Sequence, residues 1–174
     1  MSVVGVEERD GIAVATLDRP PANAFAPELV GRLRNVLRET AGARALVLAS
    51  ANPGIFSAGW DLPRISALDR REMSEYFESF CDLVREIFTH PAPVVAAPDL
   101  FDASLERARR LARGSAAAYA EVKRRARADA VARFDAARKD DPFLDFWFSP
   151  EARKRIAALV EKLTGKPATA SLSS

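Results

Sequence analysis

"ARALVLASANPGIFSAGWDL", residues 43–62, decides how the chain is read. "ALVLAS" is an unbroken apolar run, which fits a strand covered on both faces, as in a parallel sheet. Beyond Gly54 it reaches "IFSAGWDL", residues 55–62, with small residues, one glycine, Gly59, and one aspartate, Asp61. In α/β sheets ligands gather beyond the carboxyl ends of the strands. Ser57, Ala58 and Gly59 therefore read as backbone meant to meet a ligand.

Upstream, "VVGVEERDGIAVATLDRP" reads as a hairpin. Val4, Val6, Ile12, Val14 and Thr16 are strand formers, and "RDG" is its turn, with Gly11 free to take a positive φ. The prolines of "RPPANAF" end the strand, because proline cannot donate to the ladder. A helix is expected from about Pro27. Leu29, Val30, Leu33, Val36 and Leu37 share its apolar face, and Gly42 is expected to end it. The order up to Ser50 is β-β-α-β.

Downstream, a long helix is expected over Arg70–Thr89, with Met73, Phe77, Phe80, Cys81, Val84, Ile87 and Phe88 as its apolar stripe. This places Cys81 in the core rather than in a reactive site. "HPAPVVAA" reads as a short strand entered through prolines. From Pro98 no further strand is expected. One helix carries Leu105, Ala108 and Leu111 and ends near Gly114. An Ala-rich helix follows. The last helix is capped by Ser149, with Pro150 at its first position and Glu151 in its first turn. The division is thus an α/β part over 1–97, a helical part over 98–163 and a polar tail over 164–174, expected to be mobile.

The chain has 174 residues, 48% hydrophobic and 29% charged, which suits one compact domain with a helical appendage. Its 26 basic and 24 acidic residues leave a net charge of +2, too balanced to imply a nucleic-acid partner. Lys123, Arg124, Arg125 and Arg127, interleaved with Glu121 and Asp129, read as a solvated helix face. A lone cysteine precludes an intrachain disulfide and suits a reducing cytoplasm. No apolar run reaches membrane-spanning length, so no membrane partner is expected. The first residues lack the pattern of a secretory signal. The single histidine, His90, has neither a nucleophile elbow nor metal-ligand neighbours, so no metal site is expected.

Four features in order carry a family resemblance: "VATLDRPPANAFAPELV", "ARALVLAS", "FSAGWDL", and the long helix leading to "HPAPVVAA". Residues 1–97 resemble the crotonase superfamily, the enoyl-CoA hydratase/isomerase proteins. "PDLFDASLERARRLAR", "AAAYAEVKRRAR" and "FWFSPEARKRIAALVEKL" resemble that family's C-terminal helices. The fold implied is a shortened ClpP/crotonase-like α/β unit followed by a helical C-terminal part. In the family the strand matching "PVVAA" enters a glycine-rich turn and a large block of further elements. Here it runs directly into "PDLF", so the chain reads as a member without its middle, joined near Ala97 and Pro98.

The resemblance implies acyl-CoA thioester substrates, with coenzyme A as part of the substrate and no covalently bound cofactor. It implies enolate stabilisation by two backbone N–H groups, each worth about 3–4 kcal/mol to the transition state. The Ala58 N–H matches the first donor, and Gly59 lets the ligand approach. The second donor belongs to the missing turn, and no catalytic carboxylate carries over. Ala22, Asn23 and Ala24 match the segment that meets the adenine end of CoA, or form only a strand-to-helix turn. Ser57 and Leu62 flank the matched loop. Trp60 either lines or covers the acyl pocket. Asp61 either holds the loop beside CoA or acts as a local cap. Lys162 and Lys166 stand as CoA-phosphate candidates or as a solvated helix end. A homo-oligomer of trimer type is the implied assembly. Two functions stay open: hydratase or isomerase chemistry on enoyl-CoA, and a non-catalytic member that binds acyl-CoA weakly or serves as an oligomerisation module.

Overall fold

A computed structural model of the protein describes residues 2–97 and 101–165. Pro98 at the expected join, Lys166 and most of the expected tail lie outside the described residues. Four strands, β1 (Val4–Arg9), β2 (Ile12–Leu17), β3 (Ala45–Ser50) and β4 (Val94–Ala97), form one sheet in that order. β1 and β2 are antiparallel, from Val4 opposite Leu17 to Arg9 opposite Ile12. The two residues of their turn, Asp10 and Gly11, have φ of 56° and 77°. Both lie in the left-handed region that two-residue hairpins of matching twist require. β2–β3 and β3–β4 are parallel pairs, bridged by helices α1 (Pro27–Glu39) and α3 (Arg70–Thr89).

Side-chain alternation splits the core into two layers. Ala13, Ala15 and Leu17 of β2, with Leu46 and Leu48 of β3, meet Leu29, Val30 and Leu33 of α1 and Met73, Tyr76 and Leu83 of α3. Ile12 and Val14, with Ala45, Val47 and Ala49, face the other way onto Leu105, Ala108 and Ala112. Those three belong to or directly follow α4 (Phe101–Leu111). Covering the sheet on both sides is the physical reason that β3 is apolar without interruption. The C-terminal part thus supplies the cover that the exposed face needs. The Arg44 guanidinium reinforces it by donating to the Ala112 carbonyl at 2.6 Å.

α1 ends three residues before Gly42. Thr40 is its C-cap, and the Thr40 hydroxyl donates to the Val36 carbonyl at 2.8 Å while buried. Gly42 therefore lies in the turn beyond the cap. The short helix α2 (Leu62–Ile65), absent from the sequence reading, is capped by Asp61. α5 (Ala116–Ala137), α6 (Phe143–Trp147) and α7 (Pro150–Thr164) complete the described chain. Ser149 caps α7 as expected, its hydroxyl accepting from the Ala152 N–H at 3.3 Å.

α3 begins with a reciprocal capping box. The Glu72 N–H donates to Asp69 Oδ1 at 2.8 Å, and the Asp69 N–H donates to Glu72 Oε2 at 2.9 Å. Asp69→Ala is expected to lower stability by about 1 kcal/mol. An unchanged urea midpoint for this variant would contradict that role.

The basic face of α5 departs from expectation at one position. Arg124 and Arg125 are exposed and pair with Glu121 at 2.8 and 2.5 Å. Lys123, however, is 8% exposed. Its ammonium donates to the carbonyls of His90 and Ala92 at 2.6 and 3.0 Å, tying α5 to the approach of β4. The bend before β4 turns Lys123 inward because those two carbonyls need a donor there. Cys81 is buried, as expected, and burial pushes its thiol pKa up.

Candidate ligand-binding site

Residues 19–25 and 56–61 come from opposite ends of the α1 crossover and lie side by side. The Ala58 N–H donates to the Ala22 carbonyl at 2.9 Å, Phe25 N–H to the Gly59 carbonyl at 2.7 Å, and Asp61 N–H to the Phe25 carbonyl at 3.0 Å. Phe25 and Trp60 form a parallel bridge. The two candidate segments, Ala22–Ala24 and Ser57–Leu62, are thus one backbone-lined surface just past the carboxyl ends of β2 and β3.

Asn23 locks this pair of loops. It is 1% exposed, with φ 49° in the left-handed region that Asn tolerates better than most residues. Its Oδ1 accepts from the Arg19 N–H at 2.7 Å. Its Nδ2 donates to Ser50 Oγ at 2.9 Å and to the Phe56 carbonyl at 3.1 Å. Its own carbonyl accepts from the Ser57 hydroxyl at 2.7 Å, and Ser57 Oγ accepts from the Gly59 N–H at 3.1 Å. Nearly every polar atom of Asn23 is used inside the loops, so the residue holds the surface rather than facing a ligand.

Ala58 and Gly59 are exposed. Gly59 has φ +84°, and a Cβ built there would meet nothing within 4 Å. The space before this backbone is open, and the positive φ keeps it free of side chains. The Ala58 N–H is engaged in this conformation. To meet an external oxygen it must exchange the Ala22 carbonyl for the ligand.

The flanking side chains are packed into structure. The Asp61 carboxylate accepts from Arg19 Nη2 at 2.6 Å and from the Arg64 N–H at 3.2 Å, so it is both an ion-pair partner and the cap of α2. Arg19 also donates to the Ala24 carbonyl at 3.0 Å and to Glu28 at 3.2 Å. Leu62 opens α2 and packs on the core. Trp60 is half-buried in an aromatic cluster, edge-on to Tyr76, Phe80, Phe143 and Trp147 at centroid distances of 5.8, 5.4, 5.6 and 6.0 Å. Such pairs add about 0.5–1.5 kcal/mol each beyond burial. The Tyr76 hydroxyl donates to the Phe25 carbonyl at 3.0 Å. Burial, and then the charge of Asp61, push the Tyr76 pKa up, so it stays a neutral donor.

Arg19 and Tyr76 were absent from the sequence-based site. Arg19 stands in the quoted "VATLDRP", but nothing in that stretch indicates that it reaches Asp61, 42 residues on. Phe143 and Trp147 reach Trp60 only because α6 packs on α3. Lys162 is exposed near the end of α7, the solvated position considered for it. Among the described residues no group of His, Cys, Asp and Glu is arranged to hold a metal. No helix among them is long and apolar enough to cross a membrane.

The sheet order, the crossovers and the loop pair past β2 and β3 define an α/β protein of crotonase type. Its fold is similar to that of the enoyl-CoA hydratase from Bacillus halodurans, with TM-score 0.80 and 16% identity over 90% of this chain and 100% of that one. It is similar also to human mitochondrial delta3-delta2-enoyl-CoA isomerase, with TM-score 0.79 and 17% identity over 94% and 98% of the two chains. The enoyl-CoA hydratase/isomerase family matches residues 7–99, and the chain belongs to that family. Enoyl-CoA hydratase domain-containing protein 2, mitochondrial, of Bos taurus is 34% identical over 96 residues, 52% of this chain and 32% of that protein. Enoyl-CoA delta isomerase 1, mitochondrial, of Mus musculus is 30% identical over 98 residues, 55% and 34% of the two. The chain spans about a third of the length of these curated relatives.

Proposed function

We propose that this chain binds acyl-CoA thioesters across the paired loops, with the thioester oxygen at the Ala58 N–H. The observation that carries this reading is the juxtaposition of Ala22–Ala24 with Ser57–Asp61, which presents the exposed backbone of Ala58 and a side-chain-free Gly59. The Ala22 carbonyl, released when the Ala58 N–H turns to the thioester, and the Ala24 carbonyl, with a second lone pair beside its Arg19 donor, can accept from an adenine amine. A single N–H at the thioester oxygen favours the enolate over the ground state by about 3–4 kcal/mol. The acyl group then lies toward Trp60.

Non-catalytic binding is favoured over hydratase or isomerase turnover by one specific observation. Asp61, the carboxylate nearest in sequence to the donor, is committed to Arg19 and to the start of α2. It is not a free base, and the Ala58 donor has no second N–H assigned beside it. Self-association of trimer type and a place in fatty-acid metabolism go with the same reading, as does a cytoplasmic setting.

Calorimetric titration with crotonyl-CoA, alongside a hydration assay and a subunit mass, tests it. Saturable binding without turnover is expected, and Ala58→Pro, which removes the N–H, should weaken binding at least tenfold. Equal affinity in the two folded proteins would remove Ala58 from the site. Turnover at an ordinary enzymatic rate would replace the binding role with catalysis.

A further inference from the structure

A concave surface lies away from the loop pair, between α3 and α5. It is an apolar groove of about 240 Å³ lined by Val84, Arg85, Phe88, Ala130, Val131 and Phe134. A recess of about 270 Å³ shares Arg85 and Val131 with it and adds Lys123, Arg124 and Arg127. The two are therefore contiguous and together reach the size of small-molecule sites, roughly 300–1,000 Å³. From Tyr76 under the loops to Phe88 is about 18 Å along the helix axis, so this is a separate place.

The charges in the recess are unevenly matched. Arg85 pairs with Asp135 and Arg124 with Glu121, both at 2.8 Å. Lys123 and Arg127 have no carboxylate partner among the described residues. The Lys123 ammonium donates to the carbonyls of His90 and Ala92 and lies 5.8 Å from the centre of the Tyr119 ring. Arg127 donates to the Phe88 carbonyl and stands 4.2 Å over the Phe88 ring. Beside these cations Val84 and Phe88 are 43% and 37% exposed, so apolar surface and positive charge adjoin in one groove. One negative charge joined to an apolar chain satisfies both features.

We propose that this groove binds a single-chain amphiphilic anion, a fatty carboxylate. Its tail lies between Val84, Phe88 and Val131, and its head meets Arg127 and Lys123. Burial, and then the nearby Arg127, hold the Lys123 pKa down to about 8, and a carboxylate placed beside it would favour its charged form. The inference does not depend on the thioester reading, which concerns other residues.

The test is calorimetric titration of the full chain with dodecanoate below its micelle concentration, and with dodecyltrimethylammonium, which has the same tail and the opposite charge. One-to-one binding of dodecanoate is expected, at least tenfold tighter than the cation. Arg127→Glu and Val131→Asp should each weaken it at least tenfold. Methyl resonances of Val84 and Val131 in the unaltered protein should shift on titration, a readout that needs no variant to fold. Saturating crotonyl-CoA should leave the dodecanoate isotherm unchanged, and displacement would overturn a separate site. Equal binding of the two head groups, or still methyl resonances, would overturn the proposal. So would a ligand-free dimer that Val131→Asp dissociates, which would assign the groove to a second copy.

Discussion

Asn23→Ala is expected to lower stability by about 2–4 kcal/mol and to abolish thioester binding. Two effects add. The substitution strands the Arg19 N–H and the Phe56 carbonyl, which now meet the Asn23 side chain. Each unsatisfied buried polar group costs about 1–3 kcal/mol, reduced where water can enter. Alanine also replaces a residue that accepts φ 49°, and the left-handed region costs most L-residues about 1–2 kcal/mol. Asn23→Gly separates the two, because glycine removes the side chain without the backbone strain. The alanine variant should therefore be the less stable of the pair. Urea denaturation of both measures this, and a loss below about 0.5 kcal/mol for Asn23→Ala would show that the loops do not depend on this residue.

Stability is expected to rise between about pH 8 and pH 10.5. In the folded chain, burial and then the charge of Arg127 lower the Lys123 pKa from 10.5 to about 8. Between those values the unfolded chain holds the proton more tightly than the folded one, so each step up in pH favours folding. At about 1.4 kcal/mol per unit of pKa, the rise is at most about 3.5 kcal/mol. The two carbonyl bonds to the ammonium favour its charged form and make this an upper bound. His90 adds a smaller slope at the acid end. Desolvation lowers its pKa from 6.5, ahead of the bonds to Ala92 and Leu37. The unfolded chain thus takes up the proton first as pH falls below 6.5, and stability falls with it. Unfolding free energies measured across this range check both slopes, and Lys123→Met should flatten the alkaline one. An identical alkaline rise in Lys123→Met would assign it elsewhere.

The legible parts of this chain are those whose reasons are local. Strand formers buried on both faces give β2, the two-residue turn at Asp10–Gly11 gives the hairpin, and the stripe from Met73 gives α3 its face. Ser149 ahead of Pro150 marks the start of α7. The end of α1 was misplaced because Thr40 closes the helix through its own hydroxyl, while glycine is the residue that usually marks such ends. The short α2 was missed because four residues carry no periodicity, and only the Asp61 cap betrays it.

Apart from α2, the sequence by itself determined the strand-and-helix order, the family's loop at Ser57–Leu62 and its partner segment at Ala22–Ala24. These depend on residue types at short spacing, which any fold of this chain must respect. Only the tertiary structure decided what those residues touch. It engages the Ala58 N–H with Ala22, commits Asp61 to Arg19, folds Trp60 into a cluster with α6, and turns Lys123 inward from a charged helix. Each depends on groups about 30 or more residues apart in the chain, where a buried polar atom must find its partner or a ring its neighbour. Sequence spacing does not encode distances of that kind.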